Sequence, residues 1–145
     1  MAHQDFIEKF GGKWKQEKTE NFEEYFKIMD LNIILRKLMM KVSPTEEYKL
    51  DGDYVVTINS VGPTSNQNKF KLNEEFEEER MGKKMKSLCR FEDGKLIITS
   101  TSVDNPAIKP QTVTIEKITD DQTLTTIVVG DNDLVCKRYF KRVPE

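Results

Sequence analysis

The stretch Leu134-Val135-Cys136-Lys137-Arg138-Tyr139-Phe140-Lys141-Arg142-Val143 decides how the rest of the chain is read. Val135, Cys136, Tyr139, Phe140 and Val143 give it strand character, yet a guanidinium stands in its middle. Alternation puts Leu134, Cys136, Arg138, Phe140 and Arg142 on one face and Val135, Lys137, Tyr139, Lys141 and Val143 on the other. Neither face is cleanly apolar. A dry sandwich core rejects Arg138, because an unpaired buried charge is costly. Arg138 fits either a solvated edge or a wall that lines a wet cavity.

Composition supports the second reading. Of 145 residues, 37% are hydrophobic and 33% charged, lean for a close-packed core but too well interspersed for disorder. A domain with many polar inward positions reconciles order with so little apolar material. The length predicts one domain over residues 1–145. The 23 basic and 25 acidic residues leave a formal charge of -2, which argues against a nucleic-acid partner. Cys89 and Cys136 have neither the spacing of a disulfide framework nor that of a metal knuckle. The opening residues lack the apolar run of a signal peptide, and no stretch approaches the ~20 apolar residues of a membrane span. The expectation is a cytoplasmic protein.

Taken in order, Phe6 to Gly12 reads as a turn and Lys13 to Lys18 as a first strand carrying Trp14. Asn21 is a helix cap, with acids behind it and Phe22, Tyr25, Phe26 and Met29 at helical spacing. Asp30 is the expected cap of a second helix, Leu31 to Met40, with Ile34, Leu35, Leu38 and Met39 along one side, and Pro44 prevents simple continuation. Helices this short need a sheet to cover.

From Thr45 the period becomes strand-like. Nine segments follow: Glu46–Leu50, Tyr54–Ser60, Gln67–Leu72, Glu75–Glu79, Lys84–Glu92, Lys95–Ser102, Thr112–Ile118, Thr123–Val129 and Leu134–Val143. Short loops such as Asp51-Gly52, Asp93-Gly94 and Gly130-Asp131-Asn132-Asp133 separate them. With the first strand this predicts an all-β, ten-stranded antiparallel up-and-down barrel, closed so that no edge is left, under a two-helix lid at about residues 21–41. A barrel of that size has room inside for water and a ligand. Val61–Asn66 and Ser102–Gln111 are expected to be extended loops or hairpin tips.

The same local words, in the same order, resemble the intracellular lipid-binding proteins of the fatty-acid-binding group across essentially the whole chain. They are Gly12-Lys13-Trp14-Lys15, Glu20-Asn21-Phe22-Glu23-Glu24-Tyr25-Phe26, Arg36-Lys37-Leu38, Phe70-Lys71-Leu72, Glu74-Glu75-Phe76-Glu77, Asp93-Gly94-Lys95-Leu96 and Val135-Cys136-Lys137-Arg138. The resemblance implies a clam-like barrel that carries a long-chain fatty acid, its carboxylate held by two inward arginines and a tyrosine. Arg138 takes one arginine position. Phe140 stands where the tyrosine is expected, and Tyr139, one residue away, faces outward. The second arginine's place falls near Ile115-Glu116-Lys117-Ile118: Glu116 in one register, Lys117 in the next. If Glu116 faces Arg138, the two neutralise each other and favour a neutral or other hydrophobic ligand, a retinoid-like molecule or another lipid.

The ligand-binding residues expected from this reading are Arg138, Phe140, Glu116, Phe22, Tyr25, Ile34, Leu38, Thr57 and Ile127. Lys27, Arg36, Lys37 and Lys41 offer the lid a basic surface for transient contact with anionic membranes. No nucleophile has a base and an orienting acid in a recognisable motif, and the acids Glu77-Glu78-Glu79 read as a solvated face. Neither enzyme activity nor a cofactor is expected, and the protein reads as a monomer.

Overall fold

A computed structural model describes residues 2–131 and 133–144, so that Asn132 of the last predicted loop lies outside the described residues. Strand β1 is Gly12–Glu20, β2 Thr45–Asp51, β3 Tyr54–Val61, β4 Thr64–Phe70 and β5 Glu75–Arg80; β6 is Lys83–Glu92, β7 Lys95–Ser102, β8 Gln111–Thr119, β9 Gln122–Val129 and β10 Leu134–Arg142. All ten join one antiparallel meander in the order β4-β3-β2-β1-β10-β9-β8-β7-β6-β5. The first and last strands of the chain meet in the middle of this sheet, Trp14 opposite Arg142 and Thr19 opposite Arg138. A register shift between Gln16 and Lys18 bends β1, so that its first half pairs with β2 and its second half continues along β10.

Full closure, the expected device for removing edges, is not what the ladders show. Consecutive strands β4 and β5 stand at the two ends of the order, so the barrel is nearly closed, with one seam between them. The hairpins are tight. Asp93-Gly94 joins β6 to β7 with both residues at positive φ, 52° and 75°, the type I′ geometry that matches strand twist. Of the two expectations for Val61–Asn66, the hairpin tip is the one found: Gly62-Pro63 forms a two-residue turn, after which Thr64 starts β4. The stretch between β7 and β8 is irregular as expected, but ordered: Ser102 Oγ accepts from the Asn105 N–H, and Ile108 is buried.

Among the described residues three helices accompany the sheet: α1 Ala2–Phe10, α2 Phe22–Ile28 and α3 Ile33–Lys41. Helix α1 replaces the turn read at Phe6–Gly12. Alone, nine residues make a marginal helix, and the pair Gly11-Gly12 hides it; tertiary packing of Phe6 and Phe10 forms it. Phe6 meets Tyr48 edge-on with centroids 5.6 Å apart and Phe91 at 6.1 Å, while Trp14 Nε1–H donates to the Phe10 carbonyl at 2.8 Å. The Arg142 guanidinium covers the Trp14 ring at 4.1 Å. Helices α2 and α3 form the lid. Asn21 precedes α2, but it sits in the left-handed region and sends its amide to the Val135 carbonyl at 3.0 Å instead of capping. The cap of α3 is Asn32, not Asp30; its side chain accepts from the Leu35 N–H at 2.9 Å.

Because Phe6 is fully buried among rings, Phe6→Ala should remove about 3–4 kcal/mol of stability. Urea unfolding followed by Trp14 fluorescence should show the midpoint fall by the matching amount. An unchanged midpoint would mean that α1 is not part of the cooperative core.

Candidate functional site

Inside the barrel lies a cavity of about 600 Å³, lined from the lid by Phe22, Tyr25 and Met39 and from the wall by Thr57, Ile127 and Arg138 among others. The cavity face of β10 is the one the alternation assigns: Cys136 and Phe140 are buried, and Arg138 points in with 15% of its side chain exposed. Tyr139 faces out, with the Lys18 ammonium over its ring at 4.6 Å.

Arg138 is already paired. Its Nε donates to Gln16 Oε1 at 2.8 Å and one terminal nitrogen to Glu46 Oε1 at 3.3 Å. The other carboxylate oxygen of Glu46 accepts from the Tyr48 hydroxyl at 2.8 Å. Burial, followed by the neighbouring Glu46 charge, holds the Tyr48 phenol well above its ordinary range, so it stays a donor. The guanidinium lies 4.8 Å from the ring centres of both Phe22 and Phe140. The phenylalanine in the tyrosine place therefore meets the cation through its π face. Directly across the ladder from Arg138 stands Thr125, which lines the cavity and whose buried hydroxyl has no hydrogen-bond partner among the described residues.

A second guanidinium enters the same cavity from β5. One terminal nitrogen of Arg80 donates to Glu78 Oε2 and to Ser100 Oγ, both at 3.2 Å, and the other to Gln111 Oε1 at 3.1 Å. The Tyr25 hydroxyl donates to the same Gln111 oxygen at 2.6 Å, tying α2 to β8. Burial pushes the Tyr25 phenol up, with Arg80 opposing the shift.

Phe22, Tyr25, Thr57, Ile127 and Arg138 thus come together around the cavity, with Phe140 behind Arg138. Three expected residues do not. Glu116 sits on the outer face of β8 against Lys95 at 3.1 Å, because Val113 and Ile115 take the inward positions. Lys117 turns to Asp120 at 3.5 Å and does not line the cavity, so neither register alternative supplies a partner for Arg138. Ile34 and Leu38 are 76% and 55% exposed on the outside of α3, which reaches the cavity through Met39. Six of the nine α3 residues are large and apolar, so periodicity could not single out its inner face. The residues missed were Gln16, Glu46, Glu78, Arg80 and Gln111. The signal for three of them was available: Glu46 shares its face with buried Tyr48, and Glu78 and Arg80 share theirs with Phe76.

Residues 11–129 match the model of the lipocalin / cytosolic fatty-acid binding protein family. The chain belongs to that family. Human cellular retinoic acid-binding protein 2 is 34% identical over 139 residues, covering 92% of this chain and 97% of that one. Among solved structures, the apo lipid binding protein 8 of Caenorhabditis elegans superposes with a TM-score of 0.84 at 30% identity, covering 94% and 97% of the two chains. The fatty acid-binding protein from Drosophila melanogaster brain gives 0.80 at 32% identity, covering 91% and 98%. As a member of this family of binding proteins the chain is no enzyme, and its cavity takes a hydrophobic small molecule. The two cysteines are buried, free thiols; burial raises both, that of Cys136 to about 12, which keeps them protonated and unreactive.

Glu46→Ala should leave Arg138 as an unpaired interior cation and cost about 3 kcal/mol. The double change Glu46→Met with Arg138→Met should recover most of that loss in thermal unfolding. Equal destabilisation by the single and double variants would contradict the coupling.

Proposed function

We propose that the protein is a monomeric cytoplasmic carrier of an elongated hydrophobic molecule whose head group is an uncharged oxygen function, such as a retinoid alcohol or a long-chain alcohol. The observation that carries this is the Arg138–Glu46 pair. A free carboxylate would have to displace Glu46 or share a desolvated space with it, and like charges in such a space repel strongly. A hydroxyl or carbonyl oxygen needs neither. It accepts from the unused donors of Arg138 and meets the orphan Thr125 hydroxyl across the ladder. The tail gains from apolar burial along Ile127, Val113 and Ile115.

A long-chain fatty acid is the second reading. It is favoured by the neighbour from fly brain, whose name is that of a fatty acid-binding protein, while the human relative is named for an acid of retinoid type. Displacement of a fluorescent probe by retinol, retinoic acid, hexadecanol and palmitic acid separates the two. At neutral pH each alcohol should bind at least about tenfold tighter than its acid, and Glu46→Gln should erase or reverse that preference. Acids that bind tighter than alcohols to the unaltered protein would overturn the uncharged-head reading.

Delivery would use α3. Ile33, Ile34, Leu35, Leu38 and Met40 are all exposed on it, beside Arg36, Lys37 and Lys41. Such a helix suits brief insertion into an anionic membrane surface. Ile34→Glu with Leu38→Glu should slow transfer of bound retinol to phosphatidylserine vesicles several-fold and leave its affinity unchanged. Equal transfer rates would remove α3 from delivery.

A further inference from the structure

Arg138 and Arg80 stand on β10 and β5, with β9, β8, β7 and β6 between them in the sheet. Both line the one cavity, and each is matched by a glutamate on its own side: Glu46 at 3.3 Å and Glu78 at 3.2 Å. Beyond Thr125, which faces Arg138, the wall between the two pairs presents apolar side chains to the cavity: Ile127 on β9, Val113 and Ile115 on β8, and Leu96 and Ile98 on β7. Along this side the lining therefore runs polar, then apolar, then polar, while β3 and β4 opposite contribute Thr57, Asn59, Gln67 and Asn68.

We propose that the Arg80–Glu78 pair is a second polar station of the binding site, and that the ligand is an oxygenated lipid carrying a hydroxyl well removed from its head group. This rests on the uncharged-head reading for the Arg138 end. The chemistry of the second station favours a hydroxyl over an anion. Arg80 retains N–H capacity beyond its bonds to Glu78, Ser100 and Gln111, while Glu78 accepts only one of the recorded bonds and Ser100 Oγ also meets Ser87 Oγ at 2.8 Å. A hydroxyl both accepts and donates, so it satisfies an arginine and a glutamate together; a carboxylate satisfies the first and is repelled by the second. Apolar residues of similar volume would often hold β5 in place as well as an interior ion pair, so a purely mechanical clasp does not call for these side chains.

The test compares hexadecanol with straight-chain diols of the same length whose second hydroxyl is at mid-chain, three-quarter or terminal position. Each is titrated against the unaltered protein, Arg80→Met and Ser100→Ala. The tightest diol should bind the unaltered protein at least as well as hexadecanol, despite the cost of desolvating its extra hydroxyl. Arg80→Met should turn that ratio against the diol by tenfold or more, and Ser100→Ala should act in the same direction more weakly. Should Arg80→Met fail to fold, the ratio in the unaltered protein and in Ser100→Ala still decides. A protein that binds hexadecanol and rejects every diol, or an unchanged ratio in both variants, leaves Arg80 a clasp only and overturns the proposal. Failure of hexadecanol itself to bind would instead sink the uncharged-head reading on which this one rests.

Discussion

The ion pair between Arg138 and Glu46 is the constraint around which the interior is arranged. A guanidinium in a lidded cavity is tolerable only with a counter-ion and hydrogen bonds in place. Glu46 supplies the charge, Gln16 accepts a hydrogen bond from the Nε–H, and the Tyr48 hydroxyl donates to the far carboxylate oxygen. Tyr48 rests in turn on Phe6 of α1. The packing around α1 and the polar centre of the cavity are thus one connected structure, running from an aromatic cluster to the wall that meets a ligand.

That connection shapes binding. In a cavity with a free arginine, an anionic head group brings the missing charge, and electrostatics drives selection. Here the charge is already present in the wall, so on the proposed reading a ligand would gain from hydrogen bonds and apolar area instead. Selection would then follow the placement of oxygen atoms along the molecule, with the Arg138–Glu46 and Arg80–Glu78 pairs as its two polar stations.

The ten strands were legible in the sequence because alternation and turn residues repeat every few positions, and tight turns such as Asp93-Gly94 leave little choice of register. The placement of Arg138, Phe140 and Tyr139 followed from a single alternating strand. Legibility ended where a residue's meaning depends on a distant strand. Glu46 shares its face with Tyr48, a sign that it points inward, but its part as a counter-ion depends on Arg138, which stands across β1 on β10. Glu116 was misplaced because one residue of register separates a cavity wall from an outer face. In α3 the apolar residues surround most of the helix, so pattern carried no direction. The seam between β4 and β5 has no local sign at all, since each strand on its own reads like its neighbours.

If the interior charge belongs to the wall, Arg138 keeps its glutamate when the cavity is filled. A crystal structure of the protein with its tightest-binding ligand decides this. Arg138 should remain on Glu46, with an uncharged ligand oxygen within hydrogen-bond distance of the Thr125 hydroxyl. A carboxylate seated on Arg138, with Glu46 turned away, would contradict it.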